Sequence, residues 1–116
     1  MDKNIVINDI SKFTDELRST DKWKNEEWVL GQYNHHIEEC DDLRKRNDVH
    51  LQAELLDKAI IGNCLLKINS EKHLDEWNIA LSELRISIDK NIFPEYKSYD
   101  GLMTARFQKF RDKLHL

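Results

Sequence analysis

Apolar residues recur along this chain at intervals of three and four, which is the spacing that places side chains on one face of an α-helix. The run that keeps this spacing most strictly consists of Leu74, Trp77, Leu81, Leu84 and Ile88. Ile79 and Ile86 fall off that face. The pattern predicts a helix whose main face is buried, and it leaves open whether a second surface covers the two isoleucines.

Three helices are predicted before this run. A short first helix follows Asn8, whose side chain is a favourable N-cap, and residues 19–21 interrupt it. A second helix is expected over residues 21–46 and a third over residues 49–68, with a break between them at residues 47–48. The third segment is apolar on nearly all sides, which is typical of a helix at the centre of a fold.

A last helix is predicted after the single proline. The residue before a proline avoids the α-helical region, so residues 91–99 are expected to form a loop around Pro94. Ser98 or Asp100 would then cap a helix that carries on one face Met103, Phe107, Phe110 and Leu114. Three glycines and one proline are too few for the turns of a many-stranded sheet. We therefore expect one all-α domain over residues 1–116, an antiparallel four-helix bundle with a short extra N-terminal helix.

The composition limits which ligands and which cellular location are expected for this domain. The net charge of −4 argues against generic nucleic-acid binding. The chain has no apolar leader and no run of about 18 apolar residues, so we expect no membrane span and a cytoplasmic location. Cys40 and Cys64 are then expected to be reduced, buried thiols, and they lack the close spacing of a zinc site.

The charge is distributed unevenly. Residues 1–57 hold 14 acidic and 8 basic side chains, whereas the segment after Gly101 is mainly basic. Such asymmetry can mark a surface for a partner. It can also reflect cations at the C-terminus of a helix, where the helix dipole favours them, and the sequence leaves both interpretations open.

Carboxylates are concentrated on the second and third predicted helices. Glu39 and Asp42 share one helical face, Glu38 and Asp41 lie beside them, and the next helix carries a further pair. If the two helices pack antiparallel, four of these carboxylates can converge, and oxygen clusters of that kind hold Mg²⁺. The alternative is that the acids face water and that Glu54 forms an ordinary ion pair with Lys58, one helical turn later.

The spacing of these acids is similar to a known pattern. Glu39-Cys40-Asp41-Asp42 followed by Glu54-Leu55-Leu56-Asp57 resembles the E-x-x-E and E-x-x-D segments of the MazG-like all-α nucleoside triphosphate pyrophosphohydrolases, over roughly residues 30–70. Asp42 stands where the family pattern has glutamate. The resemblance implies cleavage of a nucleoside triphosphate to the monophosphate and pyrophosphate. It also implies Mg²⁺ held by Glu39, Asp42, Glu54 and Asp57.

Other catalytic patterns are weaker. His36 and Cys40 have the i, i+4 spacing of a metal pair, but zinc sites use three or four protein ligands. Arg44 and His50 are similar in spacing to the R-x(4–6)-H motif of HEPN ribonucleases, which implies RNA at a dimer interface, and the acidic surroundings argue against that. No Gly-rich phosphate loop, G-x-S-x-G or H-E-x-x-H segment is present.

Large aromatic residues provide the other candidate contacts. Phe93, Tyr96 and Tyr99 surround the proline loop, and Trp28 is expected to lie on a different face from Trp23. The rings either close the end of the bundle or form an exposed patch. We expect a protein without cofactor that binds a basic protein partner, of the immunity, antitoxin or inhibitor kind. The predicted contacts are Glu38, Glu39, Asp41, Asp42, Trp28, Phe93, Tyr96 and Tyr99. A second copy of the chain is an alternative partner if Ile79, Ile86 or Trp28 is uncovered.

Overall fold

The computed structural model describes residues 3–90, 96 and 98–114, and these residues form helices without any strand. The elements in chain order are α1 (Lys3–Leu17), a 3-10 turn (Asp21–Lys24), α2 (Glu26–Lys45), α3 (Leu51–Ile68), α4 (Leu74–Asp89) and α5 (Tyr99–Leu114). The predicted all-α helical bundle with an additional N-terminal helix is therefore confirmed. Within the described segments no helix is long and apolar enough to cross a membrane.

The centre of the fold is α3. Every residue from Gln52 to Leu65 is buried except Glu54, and each of the other helices packs against this one. The contacts with α2 run antiparallel, because His36 meets Glu54 while the earlier Tyr33 lies against Lys58. A helix that is apolar on most sides thus takes the central position that its sequence predicts.

Gly62 permits a close approach in the middle of α3. A Cβ atom at this position would lie 3.4 Å from the Tyr33 ring and 3.5 Å from the Glu76 carbonyl oxygen, so α2 and α4 both pack over the glycine. The Tyr33 hydroxyl donates a 2.9 Å hydrogen bond to that carbonyl and ties α2 to α4. Glycine lowers the stability of a helix relative to alanine, and the close packing of α2 and α4 over Gly62 compensates for that loss.

The start of α2 corrects the sequence prediction. The helix begins at Glu26 rather than at residue 21, since the Asn25 side chain caps it by accepting a 2.9 Å hydrogen bond from the Trp28 amide. Trp23 therefore lies on the preceding 3-10 turn and not on α2. The expectation that Trp23 and Trp28 occupy separate faces is wrong, because the two rings meet edge to face at 4.9 Å.

Two further boundaries differ from the prediction. Helix α1 begins at Lys3, ahead of the predicted cap at Asn8, and has 15 residues. Leu74 was expected on the buried face of α4, but it is the first residue of that helix and 49% of its surface is exposed. Trp77, Leu84 and the other members of the predicted face are buried as expected.

Helix α5 closes the bundle against α1. The Ser98 side chain accepts a 3.2 Å hydrogen bond from the Gly101 amide, as predicted for a cap. Phe107 and Phe110 are buried, and Phe107 stacks on Phe13 of α1 with ring centroids 4.1 Å apart. The predicted loop lies largely outside the described residues, as does the side chain of Leu114.

Both cysteines are free and buried, as predicted. Burial raises the pKa of the Cys40 thiol and of the Cys64 thiol to about 12. A thiol with such a pKa carries almost no thiolate at neutral pH, so neither side chain is a candidate nucleophile.

Candidate functional site

The four carboxylates predicted to hold a metal ion do not all come together. Glu54 and Asp57 meet His36 of α2, and one potential ligand atom from each of these three residues lies within 4.8 Å of the others. Glu39 and Asp42 belong to no such group within the part of the chain that the structure describes. The sequence therefore identified one pair of a converging group and did not identify His36 as its third member.

A cation already occupies the centre of this group. Arg106 of α5 donates to both carboxylate oxygens of Asp57, with its Nε 2.9 Å from Oδ1 and its second hydrogen bond to Oδ2. The same guanidinium lies 3.8 Å from Glu54, whose other oxygen is 2.6 Å from Nδ1 of His36. We call His36, Glu54, Asp57 and Arg106 the ionic cluster.

Burial and pairing act in opposite directions on the ionic cluster. Burial raises the pKa of Asp57, which is only 1% exposed, and the hydrogen bonds from Arg106 oppose that effect. Burial would lower the pKa of Arg106, but the Asp57 carboxylate raises it above its usual range. For Glu54 burial raises the pKa, yet the His36 hydrogen bond and nearby cations outweigh it, so its pKa is lowered. Glu54 therefore carries its charge at neutral pH.

The ionic cluster as arranged does not fit Mg²⁺. This ion takes carboxylate and water oxygens in near-octahedral geometry. Both oxygens of Asp57 are bound by Arg106, and the guanidinium supplies the positive charge that a metal would bring. Arg106 lies 49 residues from Asp57, so helical spacing gives no indication of the pair, and only the basic character of the last segment pointed toward it.

The acids of α2 mostly face water. Glu38, Asp41 and Asp42 are exposed and Glu39 is half-buried, in agreement with the alternative in which they form a solvated face. The expected pairing of Glu54 with Lys58 does not occur. Lys58 points instead to α4, where its ammonium lies 3.1 Å from Glu83, because Glu54 is engaged by His36 and lies near Arg106 on the other side of α3.

A groove of about 550 Å³ runs between α2 and α4 over the surface of α3, and we call it the α2–α4 groove. Its apolar lining is Leu30 and Ile37 from α2 and Ile79 from α4. Of the four predicted acidic contacts only Asp41 lines it, and Arg44 lies 3.1 Å from both Asp41 and Glu83. The groove thus combines aliphatic walls with charged side chains, several of which are paired with one another.

A second groove of about 410 Å³ continues along α4, and we call it the α3–α4 groove. It is lined by Leu51 and Leu55 from α3 and by Ile86 from α4, and it shares Arg44 and Glu83 with the first groove. Ile79 and Ile86 are 54% and 55% exposed, among the most exposed large apolar side chains that the structure describes. The two isoleucines that fall off the buried face of α4 are therefore left uncovered.

A third concavity of about 390 Å³, which we call the aromatic cleft, lies between the 3-10 turn, α2 and the end of α5. Trp23 and Phe110 form its aromatic wall at a centroid distance of 5.7 Å, and Trp28 lies at its half-buried rim. Its polar lining includes Lys22, Gln32, His36 and Lys113. His36 therefore belongs to both the cleft and the ionic cluster.

The predicted aromatic contacts separate into different environments. Tyr99 is 2% exposed and belongs to the core, so its assignment to a partner surface is wrong: its ring closes the bundle instead. Tyr96 is half-buried against the core, and Trp28 is half-buried in the aromatic cleft. Phe93 lies outside the described residues.

A buried histidine that links two helices was not identified from the sequence. His73 is 1% exposed just before α4, and its ring nitrogens lie 3.3 Å from Glu26 and 3.4 Å from Glu76. It joins the start of α2 to the start of α4. Arg44 binds acids of α2 and α4, while Nδ1 of His50 is 2.6 Å from Asp48.

No protein-family model, no curated protein and no solved structure matches this chain.

Proposed function

We propose that this protein acts by binding another protein through the outer face of α4 and the two grooves beside it. The observation that carries the proposal is the exposure of Ile79 and Ile86, at 54% and 55%. The two residues are seven positions apart, so they lie on the same side of the helix, two turns from one another. An aliphatic ridge in water is an anchor for a partner because covering it removes apolar surface from solvent.

The surroundings of this ridge support the proposal. Leu30 and Ile37 on one side and Leu51 and Leu55 on the other extend the apolar surface into the grooves. Asp41, Asp75 and Glu76 line the α2–α4 groove beside its apolar residues, together with Arg44, Lys58 and Lys72, and Glu38 and Asp42 are exposed on the same α2 helix as Asp41. Protein interfaces likewise combine an apolar centre with a polar rim. A partner with a basic rim suits this charge. This is the pattern expected of an immunity, antitoxin or inhibitor protein that neutralises a basic target.

The test of the anchor is the double replacement Ile79→Ser and Ile86→Ser, compared with Val49→Ser and Leu74→Ser. The control removes side chains of similar exposure that line neither groove. We expect the groove variant to lose a protein that co-purifies from the native cell, while the control retains it. Quantitative mass spectrometry of tagged protein measures this, and circular dichroism checks the fold. Recovery of the same proteins with both variants would contradict the proposal.

The acidic rim has a separate test. Charge reversal of Glu38, Glu39, Asp41 and Asp42 should slow association and remove its salt dependence, because steering by opposite charge acts mainly on the association rate. Association rates at low and high salt measure this with the captured partner. An unchanged rate would exclude the acids from the interface.

A second copy of the chain is the alternative occupant of the ridge. Sedimentation velocity of the purified protein distinguishes the cases. A dimer that the two isoleucine replacements disperse would identify the partner as a second copy, whereas a monomer leaves a different protein as the partner.

We propose Mg²⁺-dependent hydrolysis of a nucleoside triphosphate as the second candidate function. It is supported by one observation, the convergence of His36, Glu54 and Asp57 within 4.8 Å on the two helices that carry the MazG-like pattern. It requires Arg106 to leave Asp57 when a metal ion binds. The test is pyrophosphate release from a panel of nucleoside triphosphates with Mg²⁺ or Mn²⁺, using Glu54→Gln with Glu38→Gln as the exposed control. No release and no metal-dependent rise in melting temperature would exclude this function.

A further inference from the structure

The aromatic cleft carries positive charge in a protein that is negative overall. Lys22 and Lys113 line it, and none of its lining residues in the described part of the chain is a carboxylate, although the chain has 22 acidic and 18 basic side chains. Neither lysine has a carboxylate partner among the residues that the structure describes; each lies near an aromatic ring. Two ammonium groups thus line one concavity, and neither is paired with a carboxylate of the described residues.

The rings of the cleft provide the second half of a site. Nζ of Lys22 lies 4.6 Å from the centroid of the Trp28 ring, and Nζ of Lys113 lies 5.8 Å from that of Phe110. Trp23 meets Trp28 at an interplanar angle of 89°, and the half-buried Trp28 indole lines the cleft. Aromatic faces pack well against planar rings, and ammonium groups form charge-assisted hydrogen bonds with anions.

We propose that the aromatic cleft binds a small molecule that carries an anionic group on a planar ring, with the ring against Trp28 and the anionic group held by Lys22 and Lys113. A volume of about 390 Å³ lies within the range of small-molecule sites. A nucleoside monophosphate and an aromatic carboxylate share this chemistry. The cleft has no lining residue in common with the α2–α4 groove or the α3–α4 groove, so the inference goes beyond the binding of a protein partner.

The indole N–H resonances of the three tryptophans provide the test. Trp77 lies on α4 and does not line the cleft, so it is an internal reference. The probes are adenosine monophosphate, indole-3-acetate, adenosine and inorganic phosphate, each titrated at physiological salt. We expect Trp23 and Trp28 to shift saturably with at least one of the two ring anions while Trp77 does not move. Whichever ring anion binds identifies the source of the anionic group, phosphate or carboxylate.

Matched lysine variants test the anion contact. Lys22→Met with Lys113→Met should weaken binding of the ring anion by about tenfold or more, since each lost bond is charge-assisted. Lys24→Met with Lys109→Met makes the same change of charge outside the cleft and should leave the affinity unchanged. The proposal is overturned by the absence of a shift with either ring anion or by an equal shift of Trp77. Equal affinity for adenosine or phosphate alone, or equal loss in both double variants, overturns it as well.

Discussion

The two sides of α3 handle charge in opposite ways. On the side of α5, Asp57 and Arg106 form a doubly hydrogen-bonded pair inside the protein, and His36 forms a hydrogen bond with the neighbouring Glu54. On the side of α4, the buried Lys58 reaches outward to Glu83, which is also bound by the exposed Arg44. In the first arrangement the charged groups are buried and paired within the chain, and we call this the closed side of α3. In the second the ion pairs reach the surface, and we call this the open side.

This difference bears on where the proposed partner would bind. Removing a charge from water is costly unless a partner and hydrogen bonds compensate it, so the α5 side requires α5 to be in place. On the α4 side the charged groups lie near solvent, so α4 does not need another helix packed over it to compensate them. Its exposed isoleucines remain as the surface that a second molecule can cover.

The largest expected effect comes from breaking the closed side. Arg106→Ala leaves the Asp57 carboxylate buried without its partner and should lower the free energy of unfolding by about 3–5 kcal/mol. Arg111→Ala is the matched control, because Arg111 forms a doubly hydrogen-bonded pair with Glu16 at the surface and should cost about 1 kcal/mol or less. Urea denaturation measures both. Equal losses would show that burial does not distinguish the two ion pairs.

A smaller effect is expected where α2 and α4 approach α3. Gly62→Leu places a side chain against the Tyr33 ring and the Glu76 backbone and should destabilise the fold by about 1–3 kcal/mol. Gly31→Leu is the control, since no atom lies within 4 Å of its added Cβ and a better helix former should be neutral or stabilising. Thermal denaturation checks the pair. A tolerated leucine at position 62 would mean that the base of the open side is not closely packed.

The pH dependence of stability sharpens the role of Glu54. Its pKa is lowered in the folded protein, so its stabilising contribution is present above its ordinary pKa of 4.5 and is lost as the pH falls through the folded value. Glu54→Gln should cost about 1–2 kcal/mol at pH 7 and should reduce the loss of stability as the pH falls below 4.5. Urea titrations at several pH values measure the slope. A slope identical to that of the original protein would remove Glu54 from the stabilising cluster.

The smallest expected effect on stability is at the open side. Ile79→Ser with Ile86→Ser should change the free energy of unfolding by only about 0.5 kcal/mol per site, because both side chains already lie mostly in water. Leu84→Ala, on the buried face of the same helix, should cost about 2–5 kcal/mol. A large decrease in the free energy of unfolding for the double serine variant would show that the two isoleucines stabilise the fold, and it would contradict their assignment to a free binding surface.

Much of the fold followed from local pattern. The 3-4 spacing identified α4 and its buried face, and the all-round apolar segment identified α3 as central. Ser98 was one of the two caps considered for the last helix, and the structure selects it. The start of α2 was not predicted, because Asp21 and Asn25 are both acceptable caps and the bond from the Trp28 amide to Asn25 decides between them. The meeting of Trp23 and Trp28 depends on that boundary and was missed with it.

The candidate sites were predicted less completely than the helices. Glu54 and Asp57 were identified as a pair on one helical face, and Ile79 and Ile86 were recognised as lying off the buried face of α4. Arg106 and His73 entered only with the structure, and His36 had been considered only with Cys40, because the partners of all three lie on other helices. Tyr99 was placed on a surface, although its ring belongs to the core.

By itself the sequence determined the helical class, the central helix and the faces that each helix buries, since these depend on side-chain spacing over a few turns. The tertiary structure alone decided that Arg106 binds the Asp57 carboxylate considered as a metal ligand, and that Glu39 and Asp42 do not join the group formed by His36, Glu54 and Asp57. It also decided that two lysines and two tryptophans line one cleft. Helical periodicity specifies which side chains share a face, but it does not specify which face another helix will meet. That choice is made by the packing of α1, α2, α4 and α5 around α3.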